Sequence, residues 1–398
     1  MVSKRLIILA GAGVLLAALA AAMGQEGRER KLGPFARKFD ADGDGRLSAK
    51  ERGKLIEALR ELRGPAQEPI PPTVVPGRTD LYKLADGPHA LHVVAGYDLR
   101  DEKRDKTIPL RITIPKPRDA NEGPVPLVVF CHGALGSKDG GAPLATYWAS
   151  HGYVVIQPTF GDSLSLMSAE EKARYRSPAE LVNSRRTLKH WDDRPRDVSF
   201  VLDSLDQLAA AIEPLRGRID PNRIAVAGHS FGAHTSMLLM GMKLDSRGLA
   251  EVPDFRDERI AAAVMISPQG PGRSITARSY KAIKGPFLMI TGDNDGTPIK
   301  GREEQTGPWR RQAFEQCDGG DRYLLWIEGA YHGFGGINGL KHNWPGKGPV
   351  ARDHVYYVKS TALAFFDAYL RSDVKATAYL NSDQLASETE GKARLTAK

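Results

Sequence analysis

Short apolar runs alternate with longer mixed segments through most of the chain, and this alternation constrains the fold more than any other feature. Two strand-like runs at 90–100 and 107–116 come first and resemble an antiparallel pair. Six further runs follow: PLVVF, YVVIQP, RIAVAG, AAAVMIS, FLMITG and YLLWIEG. Continuous β-branched runs of this length are typical of parallel strands buried on both faces. With helix-compatible segments such as 195–212 between them, they predict an α/β fold with a mostly parallel, doubly wound sheet and helices on both faces.

One of these runs ends abruptly in Gly-His-Ser-Phe-Gly and continues as a helix-compatible stretch. In a G-x-S-x-G sequence a strand reverses sharply into a helix, and Gly228 and Gly232 keep side chains out of the crowded turn. The turn presents Ser230 at the carboxyl edge of the sheet. The amide of Phe231, at the helix start, is then predicted to stabilise an oxyanion.

A serine hydroxyl is a weak nucleophile, so this interpretation requires a base and an orienting acid. The run FLMITGDND ends a predicted strand with Asp293 and Asp295, and YLLWIEGAYHG ends the next with His332. Their order along the chain is Ser, Asp, His, as in α/β-hydrolases. We predict Asp295 as the acid, because the acid commonly lies on the turn just beyond the strand-terminal glycine; Asp293 is the alternative.

The second oxyanion donor is expected in the loop after an earlier strand, in FCHGALG. We refer to residues 132–136 as the 132–136 loop. The Ala134 amide is the predicted donor and the Leu135 amide the alternative. His132 is expected to shape this loop by hydrogen bonding rather than to act as an acid or base, because His332 already supplies the base.

Residues 40–51, DADGDGRLSAKE, match the twelve-residue calcium loop of an EF-hand. Three aspartates within five residues would repel one another without a cation. The predicted Ca²⁺ ligands, at positions 1, 3, 5, 7, 9 and 12, are Asp40, Asp42, Asp44, the carbonyl of Arg46, Ser48 and Glu51. Because there is one loop rather than a pair, structural or weak calcium binding is expected rather than a sensor switch.

The N-terminus has the charged, apolar and small-residue order of a secretory signal. Residues 1–24 are predicted to be a signal peptide cleaved after Gly24, which indicates a secreted or periplasmic protein. An uncleaved N-terminal membrane anchor is the alternative, and a membrane partner is expected only in that case. An EF-hand module at 25–63 and a Pro-rich linker at 64–79 follow.

Charge and cysteine content exclude other classes of protein. The net charge of +8 is dispersed, without a run of five like charges, so a nucleic-acid partner is not expected. The two cysteines are Cys131 and Cys317. Cys131 ends a strand-like run, where a small buried thiol is expected rather than half of a disulfide.

The segments LVVFCHGALG and YWASHGYVVIQPTFGD, the sequence GHSFG and the strand-end Asp and His together resemble a group of α/β-hydrolases. This group includes plasma-type platelet-activating factor acetylhydrolase and the predicted dienelactone hydrolases; bacterial polyester hydrolases are more distant. The resemblance covers residues 80–372, leaves 373–398 as a C-terminal tail, and implies an α/β-hydrolase domain. Its implied site residues are Ser230, Asp295, His332, Ala134 and Phe231.

The resemblance implies hydrolysis of a small-molecule or lipid-like carboxylic ester through an acyl-enzyme, with no cofactor for catalysis. Dienelactone hydrolases carry a cysteine nucleophile, so Ser230 favours ordinary carboxylesters. The long polar segment 163–195 is a candidate lid over the pocket. Two other functions remain open: hydrolysis of a thioester, amide or peptide bond, and a non-catalytic calcium-dependent binding protein on an inert hydrolase fold.

Overall fold

A computed structural model describes a large part of the chain. The described residues are 40–44, 48, 51, 81–119, 121–175, 180–181, 190–245, 252–297, 302–339 and 346–398. The chain divides into two units, residues 1–75 and 76–398, and each is described by itself. The predicted signal peptide, the linker at 64–79 and most of the EF-hand module lie outside the described residues. Within the described part of the chain, no helix is long and apolar enough to cross a membrane.

The described part of the second unit contains one nine-stranded sheet. Its strands are β1 (Leu91–Asp101), β2 (Lys106–Pro115), β3 (Val125–Cys131), β4 (Val154–Pro158), β5 (Ile219–His229), β6 (Ile260–Ile266), β7 (Phe287–Asn294), β8 (Arg322–Tyr331) and β9 (Ala393–Ala397). The spatial order is β1-β2-β4-β3-β5-β6-β7-β8-β9. The six strands from β4 to β8 pair in parallel, whereas β1, β2 and β9 are antiparallel to their neighbours. This sheet confirms the predicted mostly parallel architecture.

Helices cover both faces of the sheet. Those of the described residues are α1 (Ala142–Ser150), α2 (Ala169–Ala173), α3 (Asp193–Asp203), α4 (Leu205–Ala211), α5 (Phe231–Leu239), α6 (Ala277–Lys281), α7 (Gly307–Glu315), α8 (Arg352–Arg371), α9 (Val374–Leu380) and α10 (Gln384–Glu388). Alternate strand residues face opposite sides, so Leu127 and Val129 pack with α3, α5 and α7, and Val128 and Phe130 pack with α1 and α8. The central strands are therefore buried on both faces.

Residues 373–398 do not extend from the domain as a tail. Helices α9 and α10 bury Tyr379, Leu380 and Leu385 in the core that contains α8. The last strand, β9, pairs antiparallel with β8, with Leu395 opposite Leu325. The apolar positions in this segment are few and widely spaced, which is why their pattern predicted neither the helices nor the strand.

Both cysteines are buried and unpaired. Burial raises the pKa of the Cys131 thiol to about 12, and it raises that of Cys317 to the same value. The expectation that Cys131 is a small buried thiol in a strand therefore agrees with the structure.

Candidate active site

Ser230 lies at the sharp join between β5 and α5. Its backbone has φ 59° and ψ −115°, a conformation that is rare for a residue with a side chain. A Cβ atom on Gly228 would lie 2.2 Å from the carbonyl oxygen of Gly232, and one on Gly232 would lie 1.9 Å from that of Cys131. Only glycine fits at either position, so the two glycines allow strand and helix to approach closely enough to form this turn.

His332 connects Ser230 to Asp295. The Nε2 atom of His332 lies 3.0 Å from Ser230 Oγ, and its Nδ1 atom lies 2.7 Å from Asp295 Oδ1. The carboxylate can only accept at Nδ1, so this pattern assigns the proton to Nδ1 and leaves the Nε2 lone pair facing the serine hydroxyl. The arrangement is able to withdraw a proton from Ser230 as its oxygen attacks an electrophile.

The Asp295 carboxylate is fully buried and accepts several hydrogen bonds. The Ser267 hydroxyl donates to Oδ1 and the Thr291 hydroxyl to Oδ2, each at 2.8 Å. Burial raises the pKa of Asp295, but the Arg310 guanidinium and the hydrogen bond from His332 outweigh it and lower the pKa to about 2. Asp295 is therefore ionised at neutral pH and able to stabilise an imidazolium.

The alternative acid, Asp293, has other partners. The indole N–H of Trp326 donates to its Oδ1 at 3.2 Å, and the Gly329 amide donates to its Oδ2 at 2.6 Å. These bonds tie the ends of β7 and β8 together. Asp295, rather than Asp293, makes the hydrogen bond to His332.

The 132–136 loop lies against the serine turn, because a Cβ atom on Gly133 would be 3.5 Å from Ser230 Cβ. The Leu135 amide donates to Asp162 Oδ2 at 2.9 Å and so is already used. Ala134, the residue before it, is the predicted donor, and no hydrogen bond from its amide to another described residue is found. Phe231 is the first residue of α5, where an amide has no carbonyl partner within the helix.

His132 connects the 132–136 loop to the end of β4. Its Nε2 atom accepts the Phe160 amide at 3.0 Å, so Nδ1 carries the proton and donates to the Gly133 carbonyl at 2.6 Å. Burial, with the nearby Arg194 charge, lowers its pKa to about 3. A neutral histidine with both nitrogens engaged has the geometry of the structural role expected for His132.

Sequence reasoning did not identify His229, which contacts the backbone of His332. Its Nε2 atom lies 2.8 Å from the His332 carbonyl oxygen, and Asn338 Nδ2 lies 3.2 Å from its Nδ1. Burial lowers the pKa of His229 to about 3, so it is neutral and donates through Nε2. The residue between Gly228 and Ser230 therefore holds the backbone of the histidine that contacts Ser230.

Two buried arginines, Arg194 and Arg310, were also missed. Arg310 donates from Nε to the Asp295 carbonyl at 2.8 Å and from a terminal nitrogen to the Pro268 carbonyl at 3.1 Å. A sequence signal did exist, because Arg310 is three and four residues before the buried Ala313 and Phe314. A charged residue on the apolar side of a helix indicates a buried ion pair.

The candidate lid packs on the 132–136 loop. Met167 and Leu181 are buried in a small apolar cluster with Leu135, and Leu164 and Tyr175 pack against that cluster. Within the segment, Ser168 and Glu171 cap α2 reciprocally. Residues 176–179 and 182–189 lie outside the described part of the chain. The described part of the lid therefore contributes apolar side chains next to Ala134.

In the first unit, three carboxylates of the predicted calcium loop lie close together. Ligand oxygens of Asp40, Asp42 and Asp44 all lie within 4.8 Å of one another. Glu51 accepts the Ala41 amide at 2.7 Å and the Ser48 amide at 2.8 Å, which closes the loop on itself. The predicted carbonyl ligand at position 46 lies outside the described residues.

The donor set of this loop fits a hard cation. Hydrogen bonds from Ser48 and from the Ala41 amide lower the pKa of Glu51 to about 2, so its carboxylate is charged at neutral pH. Carboxylate oxygens at this density are the ligands that calcium prefers. Asp40, Asp42, Asp44 and Glu51 would hold the ion, which would offset their mutual repulsion.

The fold and this geometry together define a class: an α/β protein with a serine on a strand-to-helix turn and a histidine and an aspartate at the same edge of the sheet. Residues 128–381 match the model of the alpha/beta hydrolase family, more than half of the chain, and the chain belongs to that family. Membership supports a hydrolytic activity. Comparison with curated proteins gives no match.

Proposed function

We propose that the protein is an exported serine hydrolase that cleaves carboxylic esters through an acyl-enzyme. The observation that carries this proposal is the continuous hydrogen-bonded chain from Ser230 Oγ through His332 to the buried Asp295, with 3.0 Å and 2.7 Å at its two links. Family membership supports hydrolysis. The resemblance to platelet-activating factor acetylhydrolase and dienelactone hydrolases favours an ester substrate.

Acylation begins when Ser230 Oγ attacks the ester carbonyl carbon and His332 Nε2 takes the hydroxyl proton. The carbonyl oxygen becomes an oxyanion, to which the amides of Ala134 and Phe231 donate. The bond between carbon and the alcohol oxygen then breaks, and the leaving oxygen takes the proton from His332. Asp295 holds the imidazole tautomer and stabilises its positive charge throughout.

Deacylation repeats these steps with water. His332 Nε2 takes a proton from the water as its oxygen attacks the acyl carbon, and the same two amides stabilise the second oxyanion. The bond from carbon to Ser230 Oγ breaks, the serine recovers its proton from His332, and the carboxylic acid leaves. Because every proton moves between substrate, water and these side chains, no cofactor takes part in the sequence.

Calcium binding and export belong to the same proposal. The clustered carboxylates of Asp40, Asp42 and Asp44 support the proposal that the first unit binds one Ca²⁺. The order of charged, apolar and small residues before Gly24 supports export. Because there is one loop rather than a pair, we assign the ion to stability rather than to the chemical steps.

The test is fluorophosphonate labelling of the mature chain from residue 25. Wild type is expected to be labelled, and Ser230→Ala is expected to lose both labelling and turnover while it retains its circular dichroism spectrum. Ser199→Ala is the matched control, because that hydroxyl is bonded to Asp257 at 2.8 Å. A folded wild type that takes no label would contradict the proposal and favour an inert hydrolase fold.

Aryl esters of increasing acyl length, compared with the matching thioesters and anilides, test the bond type. Esters are expected to give the highest kcat/KM. A preference for the anilides or thioesters would replace the ester with that bond and leave Ser230 as the nucleophile.

A further inference from the structure

A fully buried arginine, Arg194, lies against the 132–136 loop. Its Nε and one terminal nitrogen donate to the two carboxylate oxygens of Asp162, at 2.9 Å and 2.8 Å, and both side chains have no exposed surface. Such a pair stabilises a fold little relative to apolar side chains, because its attraction must offset the desolvation of two charges. Stability alone therefore does not explain why this ion pair lies beside the 132–136 loop.

The ion pair binds three backbone groups of the loop. Arg194 donates to the carbonyls of His132, at 2.7 Å, and Gly133, at 3.2 Å. Asp162 accepts the amide of Leu135 at 2.9 Å. Two carbonyls are thus held by the cation and one amide by the anion, so each charge selects the orientation of the peptide group that it contacts.

The Gly133 carbonyl belongs to the same planar peptide group as the Ala134 amide. In a trans peptide the C=O and N–H bonds point in opposite directions. With the carbonyl turned toward Arg194, the Ala134 N–H points away from the arginine. Rotating this peptide by half a turn would bring the N–H toward the guanidinium and remove the Ala134 donor from the oxyanion, and the charge of Arg194 opposes that rotation.

Arg194 also contacts the residue that supplies the other amide. Its guanidinium lies 4.3 Å from the ring centre of Phe231 and 4.6 Å from that of Phe160. These are favourable cation–π distances. One side chain thus touches both the loop of Ala134 and the first residue of α5.

The hairpin of β1 and β2 also holds α3, about one turn beyond Arg194. Asp197, also fully buried, contacts Arg104 at 2.8 Å and Lys106 at 2.7 Å. The arginine therefore extends from a helix that is itself fixed by ion pairs.

We infer that Arg194 is a positioning residue for the hydrolytic reaction: it holds the Gly133–Ala134 peptide in the orientation in which the Ala134 N–H donates to the oxyanion. This inference rests on the proposed function. It predicts a loss of transition-state binding without a loss of substrate binding, because the Ala134 amide acts on the charge that develops during the reaction.

The test uses Arg194→Met and Arg194→Lys in the full mature chain, with rates expressed per active site titrated by an acyl burst. Removal of one oxyanion donor lowers kcat by about 10²-fold or more. We expect a fall of about that size for Arg194→Met, with KM within about twofold of wild type, and a smaller fall for Arg194→Lys. Arg196→Met is the matched control, because Arg196 is exposed on the same helix and bonds to the half-buried Asp192.

Two further measurements separate positioning from a structural role. A boronate that mimics the tetrahedral intermediate is expected to lose affinity in Arg194→Met by the same factor as kcat, and guanidinium ion is expected to restore part of the activity of Arg194→Ala. Unchanged kcat per titrated site in Arg194→Met would overturn the inference. If Arg194→Met does not fold, kcat per site of Arg194→Lys decides in the same way.

Different results would contradict the inference and the proposed function. Absence of fluorophosphonate labelling in folded wild type would contradict the proposed function, and this inference, which rests on it, would be contradicted as well. A labelled, active wild type together with fully active Arg194 variants would remove this inference alone.

Discussion

Arg310 and Asp295 form an ion pair with 3.2 Å between Nε and Oδ1, and both side chains are almost completely withdrawn from solvent. The pair ties α7 to the turn after β7, which carries the acid of the candidate active site. It also sets the charge of that acid, because Arg310 is the strongest influence that keeps the Asp295 pKa low against burial.

The first prediction concerns this pair. With its pKa near 2, below the ordinary 3.8, Asp295 contributes stability that is present above about pH 4 and is lost as the pH falls through 2. Arg310→Met removes the largest of the effects that oppose burial and raises that pKa, so the ratio of kcat at pH 5 to kcat at pH 7.5 is expected to fall relative to wild type. Arg311→Met, on the exposed side of the same helix, is the control. Superimposable pH profiles would contradict the prediction.

The second prediction separates the two candidate acids. Asp295→Asn is expected to lower kcat by about 10⁴-fold, because the asparagine favours the wrong histidine tautomer. Asp293→Asn is expected to lower the melting temperature through its bonds to Trp326 and Gly329, while kcat per titrated site stays close to wild type. Steady-state rates and thermal unfolding of both variants provide the check. A reversed order of kcat would make Asp293 the acid.

The third prediction concerns the serine turn. Gly232→Ala is expected to destabilise the protein by more than about 3 kcal/mol, because the new Cβ would lie 1.9 Å from the Cys131 carbonyl oxygen. Gly272→Ala is the matched control, since nothing lies within 4 Å of a Cβ there. Urea unfolding measures both. Equal stability of the two variants would mean that strand and helix are farther apart than described.

The fourth prediction concerns three buried histidines, His132, His229 and His234. Burial lowers their pKa values to about 3, 3 and 4. These values lie below the ordinary 6.5, so as the pH falls the histidines take up protons in the unfolded chain before they do so in the folded one. The stability of the fold therefore decreases as the pH drops below 6.5. Each histidine is expected to lower the free energy of unfolding by about 2 kcal/mol between pH 7 and pH 5. His234→Met should reduce this loss by one such amount in urea titrations at the two pH values; an unchanged loss would argue against a neutral His234.

The fifth prediction concerns the calcium loop. Millimolar Ca²⁺ is expected to raise the melting temperature of the wild-type first unit within the full mature chain, because ligand binding to the folded state stabilises it. Asp40→Ala should abolish that rise. Mg²⁺ at the same concentration is the control, since it dehydrates reluctantly. A calcium-dependent rise that persists in Asp40→Ala would remove the assignment.

Strands β1 to β8 and the serine turn were predictable because their signals are local. β-Branched runs mark buried strands, and the spacing of Gly228, Ser230 and Gly232 is dictated by one crowded turn. His332 and the pair of candidate acids followed from their places at the ends of predicted strands and from their order along the chain after Ser230. Sequence reasoning favoured Asp295, from its place just beyond the strand-terminal glycine, and kept Asp293 as the alternative, because the sequence does not give the direction in which either side chain points.

The supporting residues depend on contacts between distant segments. Arg194 meets Asp162 from 32 positions away, and the role of Arg310 appears only when α7 packs beside the turn that carries Asp295. His229 is a similar case, since its partner is the backbone of His332. No single stretch of sequence contains both members of these pairs, although a charged residue on the apolar side of a helix marks each arginine as a candidate.

The two buried arginines also determine how the candidate active site responds to ionic strength. Each is neutralised by a carboxylate at contact distance, Arg194 by Asp162 and Arg310 by Asp295. Among the described residues, these two arginines are therefore paired with carboxylates rather than left as isolated buried charges. Mobile ions screen exposed charges far more than buried pairs, so the attraction within each of the two pairs should change little with ionic strength.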